Sequence, residues 1–424
     1  MIIMTTFARL GLNKTLQSNV KSLGYKKPTF VQEKAIGAVL SGTDTYAIAP
    51  TGTGKTAAYL LPVLQELSQT NFSEEQVRPI RALFLVPTRE LAQQVEASIG
   101  LYGQGLKLRT ISVFGGVRIQ SHVKRFKRGT DILVATPRRL VDLLKNKTIS
   151  LNQVKHFVMD EADRLVSMGI VNELKSILAA LPDNTQKVLF SATDTKALNK
   201  FYQAHTHRVK VIKGGDIQPA LDKIVHTLYR CPLENKQEHL FKLLTMLDCD
   251  QALIFARTKR DVDFLTRILN EQGFNSAGIH NEVPQKRRKE RLASFKNGEF
   301  KFLVATDIAS RGIDINNLYY VINYDLPVNS NDYIHRVGRT ARTKPAKLDS
   351  KKVLEAQVEN RAMSKEMASK NRSIVNPAPE VEFALHSKDV LGHAFSLVSP
   401  EQERLIPKIK NVVGKEIKLE RTPW

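Results

Sequence analysis

The sequence predicts an α/β protein of two tandem domains, each a mostly parallel sheet flanked by helices, joined by a short hinge. Its 424 residues exceed what one core supports, because compact cores stop growing near about 250 residues. Short, apolar, β-branched runs recur along the chain, and each ends in a polar or glycine-rich turn. Helical stretches separate the runs, among them Arg260 to Gln272 and Gln285 to Asn297. Buried strands that alternate with helices of this length pack as parallel sheets with right-handed crossovers.

The first domain, residues 1–213, carries the runs TYAIAPTG, IRALFLVPTRE, TISVFGG, DILVATP, HFVMDEAD and KVLFSAT. A hinge at 214–219 follows, where Gly214, Gly215 and Pro219 interrupt the periodicity after Lys213. The second domain, 220–424, carries QALIFARTK, FLVATDIAS, YVINYDLP and HAFSLV. It ends in SPEQERLIPKIKNVVGKEIKLE, which predicts a helix starting at Ser399 and Pro400 and then a last strand. Ligands of parallel sheets sit beyond the carboxyl ends of the strands. Nearly every polar motif lies at such an end, so each domain is expected to present one binding face.

Composition narrows the partner. The 64 Lys and Arg against 42 Asp and Glu give a formal charge of +22, a balance suited to a polyanion such as nucleic acid. No run approaches the apolar length needed to span a bilayer, and the Met1 to Met4 start is too short for a signal peptide. A cytoplasmic protein without membrane contact is expected. Cys231 and Cys249 are the two cysteines, and they lack metal-ligand spacing. Neither a disulfide framework nor a zinc site is expected.

Two motifs supply the equipment for hydrolysing a nucleoside triphosphate. In APTGTGKT, the segment Ala49, Pro50, Thr51, Gly52, Thr53 and Gly54 is expected to cradle phosphate, with glycines letting backbone amides converge on oxygen. Lys55 would bridge the terminal phosphates, and the Thr56 hydroxyl would ligate Mg²⁺. Ala49 stands where the common phosphate loop begins with glycine. In VMDEADRL, Asp160 would hold Mg²⁺ largely through water, while Glu161 would orient and deprotonate the attacking water. A bare glycine turn or an acidic helix start would account for either motif alone, but not for their pairing. Upstream, GYKKPTFVQ ends in Gln32. A glutamine amide pairs with the N7 acceptor and N6 donor of adenine, whereas guanine offers two acceptors there. ATP is therefore expected over GTP.

The combined pattern resembles the DEAD-box ATP-dependent RNA helicases. The motifs match in order over nearly the whole chain: Phe7 with GYKKPTFVQ, APTGTGKT, PTREL, Gly115 with Gly116, TPRRL, DEAD and SAT, then LIFARTK, the Gln285 to Arg288 pair, VATDIASRGIDI and HRVGRTAR. Asp163 as the fourth box residue points to this family over relatives with histidine there. The resemblance implies two RecA-like domains that use ATP and Mg²⁺, with Phe7, Tyr25 and Gln32 at the adenine and Asp314 at the ribose. It further implies that Arg336 and Arg339 reach the γ-phosphate on closure, Arg339 as an arginine finger. His335 joins this catalytic set, coupled to Asp163 through Ser191 and Thr193.

For RNA, the resemblance implies backbone contacts from Pro87, Thr88, Arg89, Gly115, Gly116 and Thr136, and from Arg257, Arg288, Thr306 and Arg311. Contacts to phosphate and 2′-hydroxyl carry little base information, so single-stranded or short duplex RNA should bind with little sequence preference and steep salt dependence. A monomer acting on RNA, with ribonucleoproteins as further partners, is expected. Two functions share this motif set: an enzyme that unpairs short duplexes locally, and an ATP-gated RNA clamp released by slow hydrolysis. The adenine-reading segment and the DEAD tetrad disfavour a DNA translocase.

The chain departs from the family pattern three times. Arg138 replaces a glycine, which puts the RNA contact of that turn in doubt. Asn281 replaces the glycine after His280, a change that a left-handed turn tolerates. Roughly Thr343 to Val390 is inserted before HAFSLV, with an irregular apolar stripe at Val353, Leu354, Val358, Met363 and Met367. This insertion reads either as an exposed helix that touches RNA or a partner, or as a tolerated surface excursion. Deleting Thr343 to Val390 is expected to leave RNA-stimulated ATP hydrolysis largely intact. A large loss of that rate would place the insertion in the motor.

Overall fold

A computed structural model of the chain describes residues 6–50, 52–70, 72–73, 76–206, 208–214, 224–247, 249–307, 318–340, 392–414 and 416–423. The hinge residues 215–219 and the insertion lie outside the described residues. The chain divides into two units between residues 220 and 221.

In unit 1, helices α1 (Lys14–Ser22) and α2 (Phe30–Leu40) precede strand β1 (Asp44–Ile48). There follow α3 (Lys55–Leu67), β2 (Ala82–Leu85), α4 (Arg89–Tyr102), β3 (Thr110–Val113), α5 (Ile119–Arg125), β4 (Ile132–Ala135) and α6 (Pro137–Lys145). Strand β5 (His156–Met159), α7 (Ala162–Ser167), α8 (Val171–Ala179), β6 (Gln186–Ser191), α9 (Lys196–His205) and β7 (Val209–Lys213) complete it. The sheet order is β3-β4-β2-β5-β6-β1-β7, and every pairing is parallel.

Strand alternation decides which core each side chain joins. Ala82 and Phe84 pack into the core that includes Leu60, Val63 and Leu64 of α3 and Leu91, Ala92 and Val95 of α4. Their neighbours Leu83 and Leu85 enter the opposite core, with Leu140 and Leu143 of α6 and Leu174 and Ile177 of α8. Both faces are covered, so the strands read as unbroken apolar runs and their polar residues are displaced to the strand ends.

Unit 2 starts with β8 (Ile224–Arg230) and continues through α10 (Lys236–Leu247), β9 (Ala252–Phe255), α11 (Lys259–Glu271), β10 (Ser276–Ile279) and α12 (Gln285–Lys296). Strands β11 (Phe302–Ala305) and β12 (Tyr320–Asn323), helix α13 (Ser330–Val337), β13 (Gly392–Val398), α14 (Ile406–Val413) and β14 (Leu419–Arg421) follow. The order β10-β11-β9-β12-β13-β8-β14 is again parallel throughout.

The expected break after Lys213 begins later than the sequence suggests. Lys213 closes β7 and pairs with Ile48, and the Gly214 amide extends the ladder by donating to the Ile48 carbonyl at 2.7 Å. A Cβ on Gly214 would lie 3.1 Å from the Val31 Cβ, so this glycine serves close packing. The single helix expected from Ser399 is also divided. A 3-10 segment covers Pro400–Leu405 before α14 begins at Ile406, because Pro407 has no amide proton to donate into a continuous helix.

One buried group makes unit 2 sensitive to acid. His393 on β13 is 2% exposed, is surrounded by Tyr319, Tyr320 and Phe395, and has no hydrogen-bond partner for either ring nitrogen among the described residues. Burial lowers its pKa from 6.5 to about 4. The folded form therefore gains from the neutral ring above pH 6.5, and loses that contribution as pH falls from 6.5 toward 4. His393→Phe is expected to remove about 2 kcal/mol of this loss between pH 7 and pH 5. Urea midpoints of the two proteins at pH 7 and pH 5 check it; equal drops for both would refute it.

Candidate active site

The phosphate loop leaves β1 and enters α3 through Gly54, which has φ +83° and no side-chain cap. The first amides of α3 are thus left for a ligand, as an anion-binding helix start requires. Gly52 is also left-handed, at φ +77°. A Cβ on Gly54 would sit 2.2 Å from Gln32 Nε2, so the loop admits no larger residue unless Gln32 moves. Lys55 is nearly buried, and its Nζ donates to the Ala49 carbonyl at 2.8 Å. The Thr53 hydroxyl donates to the Pro50 carbonyl at 2.8 Å, which tightens the turn. Thr51 lies outside the described residues.

Gln32, expected at the adenine, makes its hydrogen bonds within unit 1 here. It is fully buried, accepts from the Thr29 amide at 2.9 Å and donates to the Gly54 carbonyl at 3.2 Å. The Thr29 hydroxyl donates to the Thr53 carbonyl at 2.7 Å. The GYKKPTFVQ segment therefore braces the phosphate loop from behind. Phe7 is buried edge-on against Tyr25, with ring centroids 6.2 Å apart. Tyr25 shares a 2.7 Å hydrogen bond with the Tyr102 hydroxyl.

Asp160 and Glu161 follow β5. Asp160 is 6% exposed; one carboxylate oxygen accepts from the Tyr59 phenol at 2.8 Å, the other from the Glu161 amide at 2.9 Å. Burial raises its pKa to about 6, against the opposing pull of Lys55 and these donors. Glu161 has φ +49°, a left-handed conformation that costs a β-carbon-bearing residue about 1 kcal/mol or more. The Arg164 guanidinium stands 3.5 Å from its carboxylate. Asp163 is buried and accepts from the Thr193 hydroxyl at 2.5 Å and the Thr193 amide at 3.2 Å. The Ser191 hydroxyl donates to the Thr193 carbonyl at 2.7 Å. Within unit 1 this ties the DEAD turn to the SAT turn.

The expected RNA residues of unit 1 collect on the other half of the same sheet edge. Pro87, Thr88 and Arg89 follow β2, Gly115 and Gly116 follow β3, and Thr136 follows β4. Strands β3, β4 and β2 are adjacent, while β5, β6 and β1 carry the nucleotide motifs. Thr88 caps α4 by accepting from the Leu91 amide. The Arg89 guanidinium carbon lies 4.6 Å from the Phe114 ring centroid, and a Cβ on Gly116 would come within 3.6 Å of Arg89 Nη1. Arg138 points outward, with an 80% exposed side chain 3.6 Å from Glu173, so it leaves the turn after Thr136 uncovered.

In unit 2, Arg257 follows β9 and is exposed, and its amide donates to Asp325 Oδ2 at 3.1 Å. Thr306 follows β11, and its amide donates to the Ile279 carbonyl at 3.3 Å. Arg288, His335 and Arg339 are each largely buried. Arg336, expected to reach the γ-phosphate on closure, is held within unit 2 here. It is 2% exposed and binds both Asp307 oxygens at 2.6 and 2.7 Å, Asn323 Oδ1 at 2.9 Å and the Asp325 carbonyl at 2.6 Å. This arginine belongs to the core of unit 2 in the present conformation. Asn281 is accommodated for a different reason than expected, since its φ is not positive and the turn needs no left-handed residue. Arg311, Asp314 and the side chain of Gln285 lie outside the described residues.

Sequence reasoning missed Tyr59, Asp307 and Asp325, whose contacts link segments far apart in the chain. Tyr59 had one available signal, since it stands three residues after Thr56 on the same helical face. Among the described residues, no helix is long and apolar enough to cross a membrane.

Comparison with known proteins agrees with this geometry. Residues 29–201 match the family model of the DEAD/DEAH box helicases, and 235–344 match the helicase conserved C-terminal domain. The RNA helicase CrhR of Synechocystis sp. is 37% identical over 339 residues, covering 80% of this chain and 68% of that protein. The DEAD-box ATP-dependent RNA helicase CshA of Streptococcus pneumoniae is 36% identical over 333 residues, covering 78% and 62%. The chain thus spans about two thirds of the length of these curated relatives. Among solved structures, S. cerevisiae Dbp5 bound to RNA and ADP BeF3 matches with a TM-score of 0.73 and 26% identity over 98% of this chain and 95% of that one. Mss116p bound to ssRNA and AMP-PNP matches with a TM-score of 0.78 and 26% identity over 99% and 80%. With both family models matched in order on two RecA-like sheets, the chain belongs to the DEAD-box ATP-dependent RNA helicase family.

Proposed function

We propose that the chain is an RNA-stimulated ATPase that locally unwinds short RNA duplexes: ATP draws its two units together on RNA, one strand is bent, and hydrolysis releases it. The observation that carries this reading is the single sheet edge of unit 1. It holds the phosphate loop and acidic turn on β1, β6 and β5, and the backbone-facing loops on β2, β4 and β3. A nucleotide and a ribose strand placed there share one rigid frame, so the state of one can bias the other.

The donor set around Asp160 suits Mg²⁺. Its buried carboxylate, held up to about 6 by desolvation, would gain from an adjacent cation. Among the described residues no group of three or more His, Cys, Asp or Glu side chains could hold a metal. A cation at Thr56 and Asp160 would therefore take most of its ligands from phosphate oxygens and water, as Mg²⁺ does. When bound, it would neutralise charge developing on the transferred phosphoryl group. Lys55, released from the Ala49 carbonyl, would bind the terminal phosphates, and Glu161 would take the proton of the attacking water. Asp163, held by Thr193 and Ser191, would relay the nucleotide state to His335, and Arg339 would supply the positive charge of the transition state.

A fluorescently labelled duplex of about ten base pairs, mixed with protein and ATP, tests the reading. Strand separation that requires ATP, and ATP turnover that responds to RNA and not to DNA, are expected. RNA retained for many minutes without separation would assign the chain to an ATP-gated clamp instead.

A further inference from the structure

Tyr59 is fully buried in the middle of α3, its ring packed against Phe84 and Phe190. A phenylalanine would fill that slot equally well, so the hydroxyl needs its own explanation, because a phenol buried without partners is unfavourable. Its partner is Asp160. The phenol donates to Asp160 Oδ2 at 2.8 Å, because an ionised carboxylate has no proton to give. The Asp160 carboxylate is pinned by Tyr59 on one oxygen and by the Glu161 amide on the other.

We infer that Tyr59 is a positioning residue for the Mg²⁺ site, one phenol that fixes the Asp160 carboxylate from the helix that carries Thr56. It joins the helix of the phosphate loop to the strand of the acidic turn, two elements that must hold a fixed spacing if one hydrated ion is to bridge them. Outer-shell partners of this kind commonly set metal affinity by about 10- to 100-fold. The inference rests on the assignment of Thr56 and Asp160 to the cation.

The test is Tyr59→Phe in the full chain, which keeps the ring and removes the oxygen. Binding of a fluorescent, non-hydrolysable ATP analogue is followed while MgCl₂ is titrated. The half-saturating Mg²⁺ concentration is expected to rise about 10-fold, with nucleotide affinity in EDTA and the melting temperature close to those of the unmodified protein. A Mg²⁺ titration that superimposes on the unmodified one, with or without a lower melting temperature, would reduce Tyr59 to a structural tie and overturn the inference. Unmodified protein whose nucleotide affinity ignores Mg²⁺ would overturn the cation assignment itself, and the inference with it.

Discussion

Glu161→Gln is expected to slow ATP turnover by about 10²- to 10⁴-fold, the range for loss of a positioned general base, while ATP-dependent RNA binding persists. The amide keeps the shape of the carboxylate and can still face Arg164, 3.5 Å away, but it cannot accept the proton of the attacking water. Binding persists because the groups expected to hold nucleotide are elsewhere: the loop at Gly52 and Gly54, Lys55 and Asp160. The left-handed backbone of Glu161 gives independent support. A strained conformation kept at a non-glycine residue, in a turn between two buried elements, suggests that the direction of this side chain matters. Single-turnover ATP hydrolysis, beside RNA binding with a non-hydrolysable analogue, checks the split. Turnover that survives the substitution would assign water activation to another group. Loss of RNA binding together with turnover would show that Glu161 holds the ligand and does not act as the base.

Such a residue was legible in the sequence because its evidence is local. The acidic turn follows an apolar run, the glycine loop follows another, and in a parallel sheet both must emerge at the same edge. The strands that escaped notice lacked that local signature. Strand β10 is SAGI, with one β-branched residue in four positions; it holds because β11 pairs with it in register. Strand β7 lies at a sheet edge with Ile212 its one buried residue, so it reads as a polar segment beside the hinge. Side-chain partners were less legible still. The carboxamide of Gln32 has the donor and acceptor that an adenine needs, and the same two groups satisfy a capping box and the Gly54 carbonyl. Nothing in the sequence decides between those uses. Only the fold brings Gly54 within reach of Gln32, and Tyr59 within reach of Asp160 a hundred residues on.

The two arginines of HRVGRTAR, equivalent in a motif match, are expected to fail differently. Arg336 is enclosed by Asp307, Asn323 and the Asp325 carbonyl, with Phe255 4.8 Å beneath its guanidinium. Arg336→Ala leaves the Asp307 carboxylate and two buried acceptors without that partner. Breaking one side of a buried ion pair costs about 3–5 kcal/mol. At roughly 2–4 °C per kcal/mol for a unit of this size, the melting temperature should fall by about 10 °C. Lysine should recover only part of it, because it cannot bind two oxygens of Asp307 and the neighbouring acceptors with one planar fork. Arg339→Ala should instead slow RNA-stimulated ATP hydrolysis by about 10³-fold or more, the scale of a lost arginine finger. Calorimetry and ATPase rates on both full-length variants separate the cases. If Arg336→Ala melts like the unmodified protein while losing turnover as Arg339→Ala does, Arg336 must leave its pocket to reach phosphate, and the core role assigned to it here is wrong.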